Sequence, residues 1–563
     1  MHSPIEITFH GAAGTLTGSC MELHWRDKRV LIDCGLFQGS RSLEHLNWAP
    51  FPFEPSHIDA VLLSHAHQDH SGLLPRLMID GFTGAIWCTF ETRDLLPALL
   101  ADVAVLHQAE VTRRNLRYDR ADKEPFAPFF TDKEVNRVID HIQPIAPGTW
   151  FLPVEGMGVR FHETGHMLGA VSIEILADRQ RLLFSGDVGP TSKRPRNAEL
   201  RGFDHIVCEA TLGDKIRKRV TPADRRLQLR REVDRALRRG GNIIIPAFGV
   251  ECTEDLICDL SALAHDLSAH GHDVFVDLPL SGRVALALNR CARRTGATAN
   301  NRGASRTGLH FVETVEDSKA LNERSGQVII AASGMCEAGR VRHHLRHNLP
   351  RPDSTILLTG YQARGTLGRT LVDGANRVRI SGHDVHVRAQ MRTLDCYSAH
   401  ADQNELLRWL EAKHPVTGTL FLVHAEMPAR EALAKLAASI KGIRNPIIQP
   451  YVGEAYRLQK GSAAVRICEA APGIEEWLAE DWQNAYAAIV ANLKHLLEEM
   501  PTDAKRRTTL QAIQNLLDER SPASMAAATA KGHPSPQRQL FWAAGSRADT
   551  APSTVELIDQ KRG

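Results

Sequence analysis

The sequence predicts an α/β fold built from layered domains of two kinds, and three patterns carry this prediction. In the first 200 residues, strand-like apolar runs alternate with glycine turns, as in IEITFHGAAG and RVLIDCGLFQG. From about residue 214, strand-like runs alternate with helical patterns, which is typical of a doubly wound parallel sheet. After about residue 383, short strands return.

The composition is that of a globular protein, and we expect no membrane partner. Of the 563 residues, 43% are hydrophobic and 24% are charged. No apolar run approaches the roughly 20 residues that a membrane span needs. The length suggests about three to four domains. The net charge of +2 is close to neutral, so any sign of nucleic-acid binding must be local.

The cysteine pattern and the N-terminal residues indicate the compartment. Ten cysteines are scattered singly, without a C-x-x-C pair, which favours reduced thiols over a disulfide framework. The N-terminal stretch MHSPIEITFHGAAG has no basic segment followed by an apolar core, so we expect no signal peptide. Together these features predict a cytoplasmic protein.

The first 210 residues contain several predicted strands, each ending in a polar or glycine loop. They are IEITFHG, RVLIDCG, AVLLSHAHQDH, GAIWCTF, RLLFSGDVG and FDHIVCEATLG. Side chains able to do chemistry lie where these strands end, which is the usual placement of sites in layered α/β proteins.

The next segment begins with a basic helix within residues 214–239. Thr221 is a good N-cap, Pro222 suits the first helical position, and Asp224 completes a capping box. Predicted strands with following helices then recur, in NIIIPAFGV, HDVFVDLPL, QVIIAASGM and STILLTGYQ. This βα alternation predicts the doubly wound domain.

The C-terminal part adds a helix, a strand and an extension. The segments NELLRWLEAK and GTLFLVHAE read as helix and strand, and residues 474–519 are predicted to be a helical extension. One helical face of the extension is apolar, which leaves internal packing or a homodimer contact open. Its residues are Trp482, Tyr486, Ile489, Leu493 and Leu496. Residues 520–563 are rich in Ser, Pro, Ala and Gly, and we expect a disordered tail.

Four ligand-type side chains in six residues predict a metal site. His65, His67, Asp69 and His70 form an H-x-H-x-D-H pattern after the apolar run AVLLS. Alternate residues of an extended segment point the same way, so His65 and His67 can hold one ion. Asp69 and His70, just past the turn, can reach another. Imidazole nitrogen with carboxylate oxygen suits zinc or a similar first-row metal.

Two ions need more ligands than this loop supplies, and three later loops offer them. ETGHMLGA contains His166 between glycines, and FLVHAE contains His424 after an apolar strand. FSGDVG contains Asp187 at a strand end, where a carboxylate could bridge two ions.

These motifs carry a resemblance to a known family. The ordered series IDCGLFQG, SHAHQDHSG, TGHMLGA, FSGDVG and LVHAE resembles the five motifs of the metallo-β-lactamase superfamily. CEATLGD, IIPAFGVECTEDL, AASGMCEAGRVRHHL, GYQARGTLGRTL and YSAHAD resemble its β-CASP branch, which cuts nucleic acids. The resemblance spans roughly residues 5–465 and is strongest to prokaryotic RNA-specific nucleases related to the endonuclease that processes pre-mRNA 3′ ends.

The resemblance implies a domain plan. Residues 1–208 and 383–465 would form one αββα metallo-β-lactamase sandwich, and residues 209–382 would form an inserted doubly wound β-CASP domain. The helical extension and the tail lie outside this plan. An insertion would explain why short strands return after residue 383.

The resemblance also assigns the metal ligands. It implies that one zinc is held by His65, His67 and His166. A second zinc would be held by Asp69, His70 and His424. Asp187 would bridge the two ions, and Asp33 in IDCGLFQG would support the ligand loop through a hydrogen bond, as metal sites generally need.

The implied chemistry is hydrolysis of a phosphodiester by two metals. Two close ions lower the pKa of a shared water, and the bridging hydroxide would be the nucleophile, oriented by Asp69. His400 in YSAHAD would be the general acid that protonates the leaving oxygen, supported by Glu209 in CEATLGD. Asp402 has the simpler role of a helix N-cap before NELLRWL.

A phosphate backbone needs hydrogen-bond donors, and two glycine-containing segments supply them. The predicted substrate-binding residues are Arg340, His343, His344, Arg364 and Arg369. The expected partner is single-stranded RNA, cut internally. The residues alone leave a DNA nuclease, a small-molecule ester or lactam hydrolase, and an inactive RNA-binding scaffold open as alternatives.

Four positions depart from the family pattern without removing a ligand. Cys252 stands where arginine is usual, and Ala425 stands where glycine usually follows the last histidine ligand. Ala210 and Leu212 replace a serine and a tyrosine after Glu209. The changes at 252, 210 and 212 concern substrate handling more than catalysis.

Overall fold

The computed structural model describes most of the chain. The described residues are 4–117, 127–192, 200–218, 220–247, 250–278, 309–312, 314–443, 445–470, 493, 496–497 and 500–519. The predicted tail at 520–563, and Trp482, Tyr486 and Ile489 of the extension, lie outside them. The homodimer contact and the cytoplasmic location therefore stay predictions. Within the described residues, no helix is long and apolar enough to cross a membrane.

Up to residue 209, the described residues form eleven strands and five helices. The strands are β1 (Ile5–Gly11), β2 (Cys20–Trp25), β3 (Lys28–Ile32), β4 (Ala60–Leu62), β5 (Ala85–Cys88), β6 (Ile142–Pro144), β7 (Trp150–Val154), β8 (Met157–Glu163), β9 (Val171–Ala177), β10 (Gln180–Phe184) and β11 (His205–Glu209). The helices are α1 (Arg41–His45), α2 (Gln68–Ser71), α3 (Leu74–Ile79), α4 (Phe90–Arg117) and α5 (Asp132–Asp140).

The middle part alternates helices and strands, as the sequence predicts. Its elements are α6 (Pro222–Leu237), β12 (Ile243–Pro246), α7 (Val250–Ala269), β13 (Val274–Asp277), β14 (Leu309–Phe311), α8 (Val315–Ala320), β15 (Val328–Ala331), α9 (Val341–Asn348), β16 (Thr355–Leu358), α10 (Leu367–Val372), β17 (Arg377–Ile380), β18 (His383–His386) and β19 (Gln390–Thr393). Thr221 caps α6 and forms the predicted capping box with Asp224.

The last part returns to the first sheet system. Its elements are α11 (Gln403–Glu411), β20 (Leu420–Val423), α12 (Met427–Ala437), β21 (Ile447–Ile448), β22 (Ala455–Leu458), β23 (Val465–Cys468) and α13 (Asp503–Glu519). Short 3-10 turns lie at Leu46–Trp48, Pro55–His57, Leu321–Glu323 and Asp395–Tyr397. The helix α13 belongs to a separate compact unit that begins at residue 491.

Two sheets pack face to face to form a sandwich. One has the strand order β23-β22-β1-β2-β3-β4-β5-β6, and the other has the order β21-β20-β11-β10-β9-β8-β7. Buried apolar residues of both sheets, such as Phe9, Leu23, Phe161 and Phe421, form the core between them. On the outer faces, α3, α4 and α5 cover the first sheet, and α11 and α12 cover the second. The predicted αββα sandwich is confirmed.

A third sheet forms the inserted domain. Its six strands pair in parallel in the order β14-β13-β15-β12-β16-β19. The helices α6 and α7 pack on one face, and α9 and α10 pack on the other. The predicted doubly wound sheet is therefore confirmed, and the strand order reverses direction near β12, as in other doubly wound folds.

The end of the insertion differs from the predicted boundary between residues 382 and 383. That boundary falls inside the antiparallel hairpin β17–β18. The next strand, β19, pairs in parallel with β16 of the inserted sheet, through Thr355 with Gln390 and Leu358 with Thr393. We therefore propose that the inserted domain continues to Thr393.

The thiol pattern departs from expectation at one position. Cys20, Cys34 and Cys88 are buried free thiols, as expected for a reduced chain. Cys258 in α7 is disulfide-bonded, which the sequence did not predict.

Candidate metal centre

The loop after β4 presents four of the predicted ligands. The chain leaves the strand at Leu62, stays extended to His67, and then turns into the short helix α2, which carries Asp69 and His70. Gly35 packs against this turn so closely that an added Cβ would lie 1.7 Å from the carbonyl oxygen of Asp69. A larger residue at position 35 would displace the turn that carries Asp69 and His70. This steric limit explains why IDCGLFQG has glycine at that position.

One group of ligand atoms comes from three loops. His65 Nε2 lies 3.0 Å from His67 Nδ1, which lies 3.1 Å from His166 Nε2. Asp187 Oδ2 lies 3.5 Å from His65 Nε2 and 3.3 Å from His166 Nε2. All four ligand atoms lie within 4.8 Å of one another, which is the spacing of atoms around one ion.

A second group lies on the other side of Asp187. His70 Nε2 is 3.0 Å from His424 Nε2, and Asp69 Oδ2 is 3.5 Å from the same His424 atom. Asp187 Oδ1 lies 3.4 Å from His70 Nε2 and 3.7 Å from His424 Nε2. Asp187 thus directs one carboxylate oxygen to each group, the arrangement expected of a bridging ligand.

The hydrogen bonds behind the histidines fix which nitrogen faces the centre. The Nδ1 of His166 is 3.2 Å from the carbonyl oxygen of Ala399, to which it donates when protonated. The Nδ1 of His424 is 3.1 Å from Thr211 Oγ1, whose hydroxyl donates to the carbonyl oxygen of His424. Both arrangements leave a lone pair on Nε2, the atom that faces the ligand group.

These residues fit two metal ions. Two imidazole nitrogens 3.0 Å apart need a proton or a cation between them. Within the described part of the chain, the buried Asp187 Oδ1 accepts no hydrogen bond. Burial lowers the pKa of His65 and His166 well below the ordinary value and lowers that of His67 to about 4, so these imidazoles are neutral. Neutral imidazole is the form that binds metal.

The carboxylates of the centre are ionised. Burial alone would raise the pKa of Asp187, but the charges of His424 and His70 lower it well below its usual range. Burial also acts to raise the pKa of Asp69, and the hydrogen bond with His424 and the charge of His70 outweigh it and lower the pKa. Both side chains are therefore in the form that binds a cation.

Asp33 lies where the sequence places it, behind the ligand loop. Its Oδ2 is 2.7 Å from Nδ1 of His70 and accepts a hydrogen bond of 3.0 Å from Ser64 Oγ, while its Oδ1 accepts the Ser64 backbone N–H at 2.8 Å. Ser64 Oγ in turn lies 3.0 Å from His65 Nδ1. One carboxylate thus orients a ligand of each ion, directly for His70 and through Ser64 for His65.

His400 lies at the edge of the centre and is supported by Glu209. The Nδ1 of His400 is 3.2 Å from Glu209 Oε1, and its Nε2 is 3.9 Å from Asp187 Oδ2. Burial lowers the pKa of His400, but the charges of Glu209 and Asp187 outweigh burial and raise it. Glu209 is buried and also accepts the backbone N–H groups of Val188 and Thr211 at 2.8 and 3.0 Å.

Two residues that orient ligands were missed by the sequence prediction. Thr211 fixes the ring of His424, and Ser64 connects Asp33 to His65. Each lies beside a predicted residue, because Thr211 follows Glu209 by two positions and Ser64 precedes His65. Their position next to predicted site residues is the sequence signal by which Thr211 and Ser64 could have been found. Asp402 caps α11 through the backbone N–H of Glu405, which confirms its predicted role.

The centre opens into a cleft between the sandwich and the inserted domain. The empty volume of this cleft is about 660 Å³. The insert contributes Met335, Gly360 and Tyr361, and the loop between β1 and β2 contributes Leu16 and Thr17. The remaining lining residues are His67, Asp69, His166, Asp187, Thr211, Ser398, Ala399, His400 and His424.

The predicted substrate-binding residues fall into two sets. Arg364 is exposed in the loop after Tyr361, where its backbone N–H donates to Glu426 Oε1 at 2.7 Å. Arg369, partly exposed, donates from Nε to both carboxylate oxygens of Asp373 at 2.9 Å. These two arginines remain proposed RNA contacts.

The second set of predicted substrate-binding residues, Arg340, His343 and His344, makes contacts inside the inserted domain. Arg340 donates to Asp277 at 2.5 Å, and His344 is fully buried with its Nε2 2.7 Å from the same carboxylate. His343 is half-buried beside His347. This geometry does not support substrate contact by Arg340 or His344, because their polar atoms already bind a buried aspartate.

The described residues that depart from the family pattern are buried. Ala210, Leu212 and Ala425 are all buried, and Ala210 and Ala425 belong to the core beneath α11 and α12. Apolar side chains thus replace the usual hydroxyl and phenol beside Glu209. The side chain of Cys252 lies outside the described part of the structure.

Comparison with family models agrees with this architecture. The model of the metallo-β-lactamase superfamily matches residues 14–227, and the model of the Beta-Casp domain matches residues 253–371. A third model, described as a Zn-dependent metallo-hydrolase RNA specificity domain, matches residues 384–448.

Characterised relatives match most of the chain. Ribonuclease TTHA0252 of Thermus thermophilus is 34% identical over 447 residues, which cover 76% of this chain and 95% of that protein. The RNase J-like protein of Methanocaldococcus jannaschii is 24% identical, with 75% of this chain and 92% of that protein covered. Transcription termination factor FttA of the same organism is 26% identical, with 75% and 67% covered. The chain therefore belongs to the β-CASP family of the metallo-β-lactamase superfamily, a family of metal-dependent hydrolases.

Proposed function

We propose that this protein is a zinc-dependent ribonuclease that hydrolyses phosphodiester bonds of single-stranded RNA. The observation that carries the proposal is the pairing of His400 with Glu209 beside two metal-ligand groups, in a cleft shared with the β-CASP domain. A small-ester hydrolase would need neither this histidine nor the insert. The matched RNA specificity domain and the similarity to a ribonuclease support RNA over DNA.

The ligand groups would hold one zinc at His65, His67 and His166 and a second at Asp69, His70 and His424, with Asp187 between them. Two zinc ions, when bound, would supply Lewis acidity and an activated water at neutral pH. Asp69, at the wall of the cleft, would accept a hydrogen bond from the attacking water and orient it toward phosphorus.

His400 protonates the leaving oxygen. Its Nδ1 is held by Glu209, so its Nε2 is the atom free to give a proton on the cleft side. The carboxylate fixes the tautomer and favours the protonated ring. With Asp187 and Glu209, His400 forms a third group of ligand-type side chains. We assign it to proton transfer because it is not among the ligands proposed for the two zinc ions.

The substrate contacts combine charge and an aromatic ring. Arg364 and Arg369 bind phosphates on the side of the insert, in a contact that depends on salt and little on sequence. Tyr361 lines the cleft with Lys215 Nζ 4.8 Å from its ring centroid, so a cation already lies against one aromatic wall.

The test is cleavage of matched 5′-labelled RNA and DNA strands of one sequence by the zinc-loaded protein. We expect cleavage of RNA, with a loss of about 10²–10⁴-fold in kcat for His400→Ala and unchanged zinc content. Asp69→Ala should lose both activity and one zinc. Arg137→Ala is the control, because the guanidinium of Arg137 donates to the carbonyl oxygen of Met78, in the outer helical layer.

Preference for the DNA strand would support the alternative DNA nuclease, and RNA binding without cleavage would support the scaffold. Activity that persists in Asp69→Ala would exclude the proposed mechanism. The expectation of internal cutting is tested with a circular RNA, which has no ends. An enzyme that needs a free end would leave the circle intact.

A further inference from the structure

The segment that links β11 to α6 runs alongside the loop that carries His400. The backbone N–H of Gln403 donates to the carbonyl oxygen of Lys215 at 2.9 Å, and its side-chain amide donates to the carbonyl oxygen of Gly213 at 2.6 Å. The entry to the inserted domain and the His400 loop are therefore bound together.

Arg217 is the residue of this linker that holds the loop on both sides of His400. Its Nη1 donates to the carbonyl oxygen of Ser398 at 3.0 Å, and its Nη2 donates to the carbonyl oxygen of His400 itself. Its backbone N–H donates to Asp402 Oδ2 at 3.0 Å. The side chain is 18% exposed, so it is mostly shielded from water.

The two carbonyl groups depend on this guanidinium. Among the described residues, Arg217 supplies the hydrogen bonds that Ser398 O and His400 O accept. Other contacts of the loop attach to different atoms. Ala401 N–H donates to Val188 O at 2.6 Å, the hydroxyl of Tyr397 donates to Asp259 at 2.9 Å, and the carbonyl oxygen of Ala399 lies 3.2 Å from Nδ1 of His166. Arg217 holds the carbonyl group two residues before His400 and the carbonyl group of His400 itself.

We propose that Arg217 is a positioning residue for the general acid His400, an inference that rests on the proposed function. A proton donor must be held within about 0.5 Å and 10–20° of its productive geometry. Without Arg217, two part-buried carbonyls lose their donor and turn toward water, and the His400 ring turns with them. The planar fork of arginine reaches both carbonyls at once, which a lysine ammonium does not reproduce.

Two acidic residues near Arg217, Glu405 and Asp402, make different contacts with it. Glu405 Oε2 lies 3.8 Å from Nη2, a distance that keeps the charge paired without a hydrogen bond. Asp402 receives only the backbone N–H of Arg217, so substitution of the side chain leaves that N-cap contact in place. Substitution of the Arg217 side chain therefore removes the hydrogen bonds to the carbonyl oxygens of Ser398 and His400 and keeps the N-cap contact.

The test compares two substrates that differ in their need for a general acid. RNA has an alkoxide leaving group that must be protonated, whereas bis(p-nitrophenyl) phosphate releases a stable phenolate that does not. We expect Arg217→Ala to lower kcat on RNA by about 10–100-fold with little change in KM, and to change hydrolysis of the activated diester by less than about 3-fold. Arg217→Lys should recover only part of the loss.

The double variant Arg217→Ala/His400→Ala separates positioning from general damage. If Arg217 acts through His400, the double variant should cleave RNA at the rate of His400→Ala alone. Arg137→Ala is the control for loss of an arginine that binds a main-chain carbonyl. Zinc content and thermal unfolding of each variant are measured alongside, and Arg217→Lys serves if the alanine variant does not fold.

Equal losses on both substrates, or a further loss in the double variant, would overturn the proposal. A wild-type protein that hydrolyses the activated diester but not RNA would instead contradict the proposed function. A wild-type protein that cleaves RNA, with His400→Ala impaired and both Arg217 variants unimpaired, would reject the role of Arg217 alone.

Discussion

Single residues behind the ligands decide how well the centre binds metal. Asp33 contacts His70 and Ser64, and through Ser64 it affects His65, although its own oxygens are not in either ligand group. The ring of His424 is fixed in a similar way by Thr211. We therefore expect the affinity for metal to depend on the hydrogen bonds that orient the ligand side chains.

We predict that Asp33→Asn weakens zinc binding by about 10–100-fold, because the amide offers a donor where His70 and Ser64 need an acceptor. The measurement is competition with a chromophoric chelator at neutral pH. Asp59→Asn is the matched control, since Asp59 accepts a backbone N–H from Arg29 at 2.9 Å in the same half of the sandwich. Equal weakening in both variants would show that the effect comes from folding.

The sequence predicted the candidate ligands, but it missed Ser64 and Thr211 within the same motifs and the residues that only the fold brings near. His65, Asp187 and His424 follow apolar strands, so their place at strand ends was readable. Arg217 and Tyr361 reach the centre only through the packing of the insert on the sandwich. Conversely, His344 lies in a basic segment but faces Asp277, because a helix has an inner and an outer side.

Among the elements, the strands β8, β9 and β10 share a polar cluster on one face. Glu174 is fully buried and accepts hydrogen bonds from Arg160 at 2.9 Å and Arg181 at 2.5 Å, with His162 Nε2 at 2.7 Å. Burial acts to raise the pKa of Glu174, but His162 and the two arginines lower it to about 2. The carboxylate thus joins three strands by charge.

This cluster predicts how stability depends on pH. Because the folded pKa lies below the unfolded value of roughly 4.5, the stabilisation is complete above about pH 4.5 and is lost as the pH falls toward 2. We expect Glu174→Gln to lower the free energy of unfolding at pH 7, with a difference from wild type that shrinks by about 1 kcal/mol at pH 4. Denaturant unfolding of metal-free proteins measures it, and a difference independent of pH would contradict it.

The elements themselves were largely predictable where they carry long apolar runs. The strands β12, β13, β15 and β16 are fully buried and stand out as such runs in the sequence. The strand β19 lies at the edge of the inserted sheet and its residues are only partly buried, whereas the predicted plan places residues 383–465 in the sandwich. Edge strands carry a weaker apolar pattern, so sequence alone does not show their partner.

At the scale of the whole molecule, the metal ligands connect distant parts of the sandwich. His70 and His424 are 354 residues apart in sequence, and their Nε2 atoms are 3.0 Å apart. The resemblance to the family predicted that His70 and His424 lie close together. Local periodicity alone does not predict contacts between residues so far apart in sequence. Bound zinc should therefore stabilise the fold as well as complete the site.

We predict that removing zinc with a chelator lowers the melting temperature by several degrees. At free zinc 100-fold above Kd, each site adds about 2.7 kcal/mol of stability. Differential scanning calorimetry measures the shift. His424→Ala should show a smaller shift than wild type because one site is lost, whereas His141→Ala, outside both ligand groups, should show the full shift.

RNA binding should depend on salt through contacts spread over the molecule. For single strands, the slope of log K against log salt is about −0.7 per phosphate contact. We expect Arg364→Ala to reduce that slope by about 0.7, measured by fluorescence anisotropy on His400→Ala protein. Arg408→Ala, exposed on α11, is the control and should leave the slope unchanged. Equal slopes for His400→Ala protein and for the two variants with Arg364→Ala or Arg408→Ala added would show that Arg364 does not contact RNA.

The position of β1 between β2 and β22 has a consequence for the time at which the enzyme becomes competent. During translation, β1 and the first histidines leave the ribosome early, but the pairing partner of β1 and His424 emerge only after the whole insert has been made. Until then the chain lacks a complete hydrolytic centre. A nascent chain from which His424 has not yet emerged therefore lacks the ligand set that the proposed hydrolysis needs.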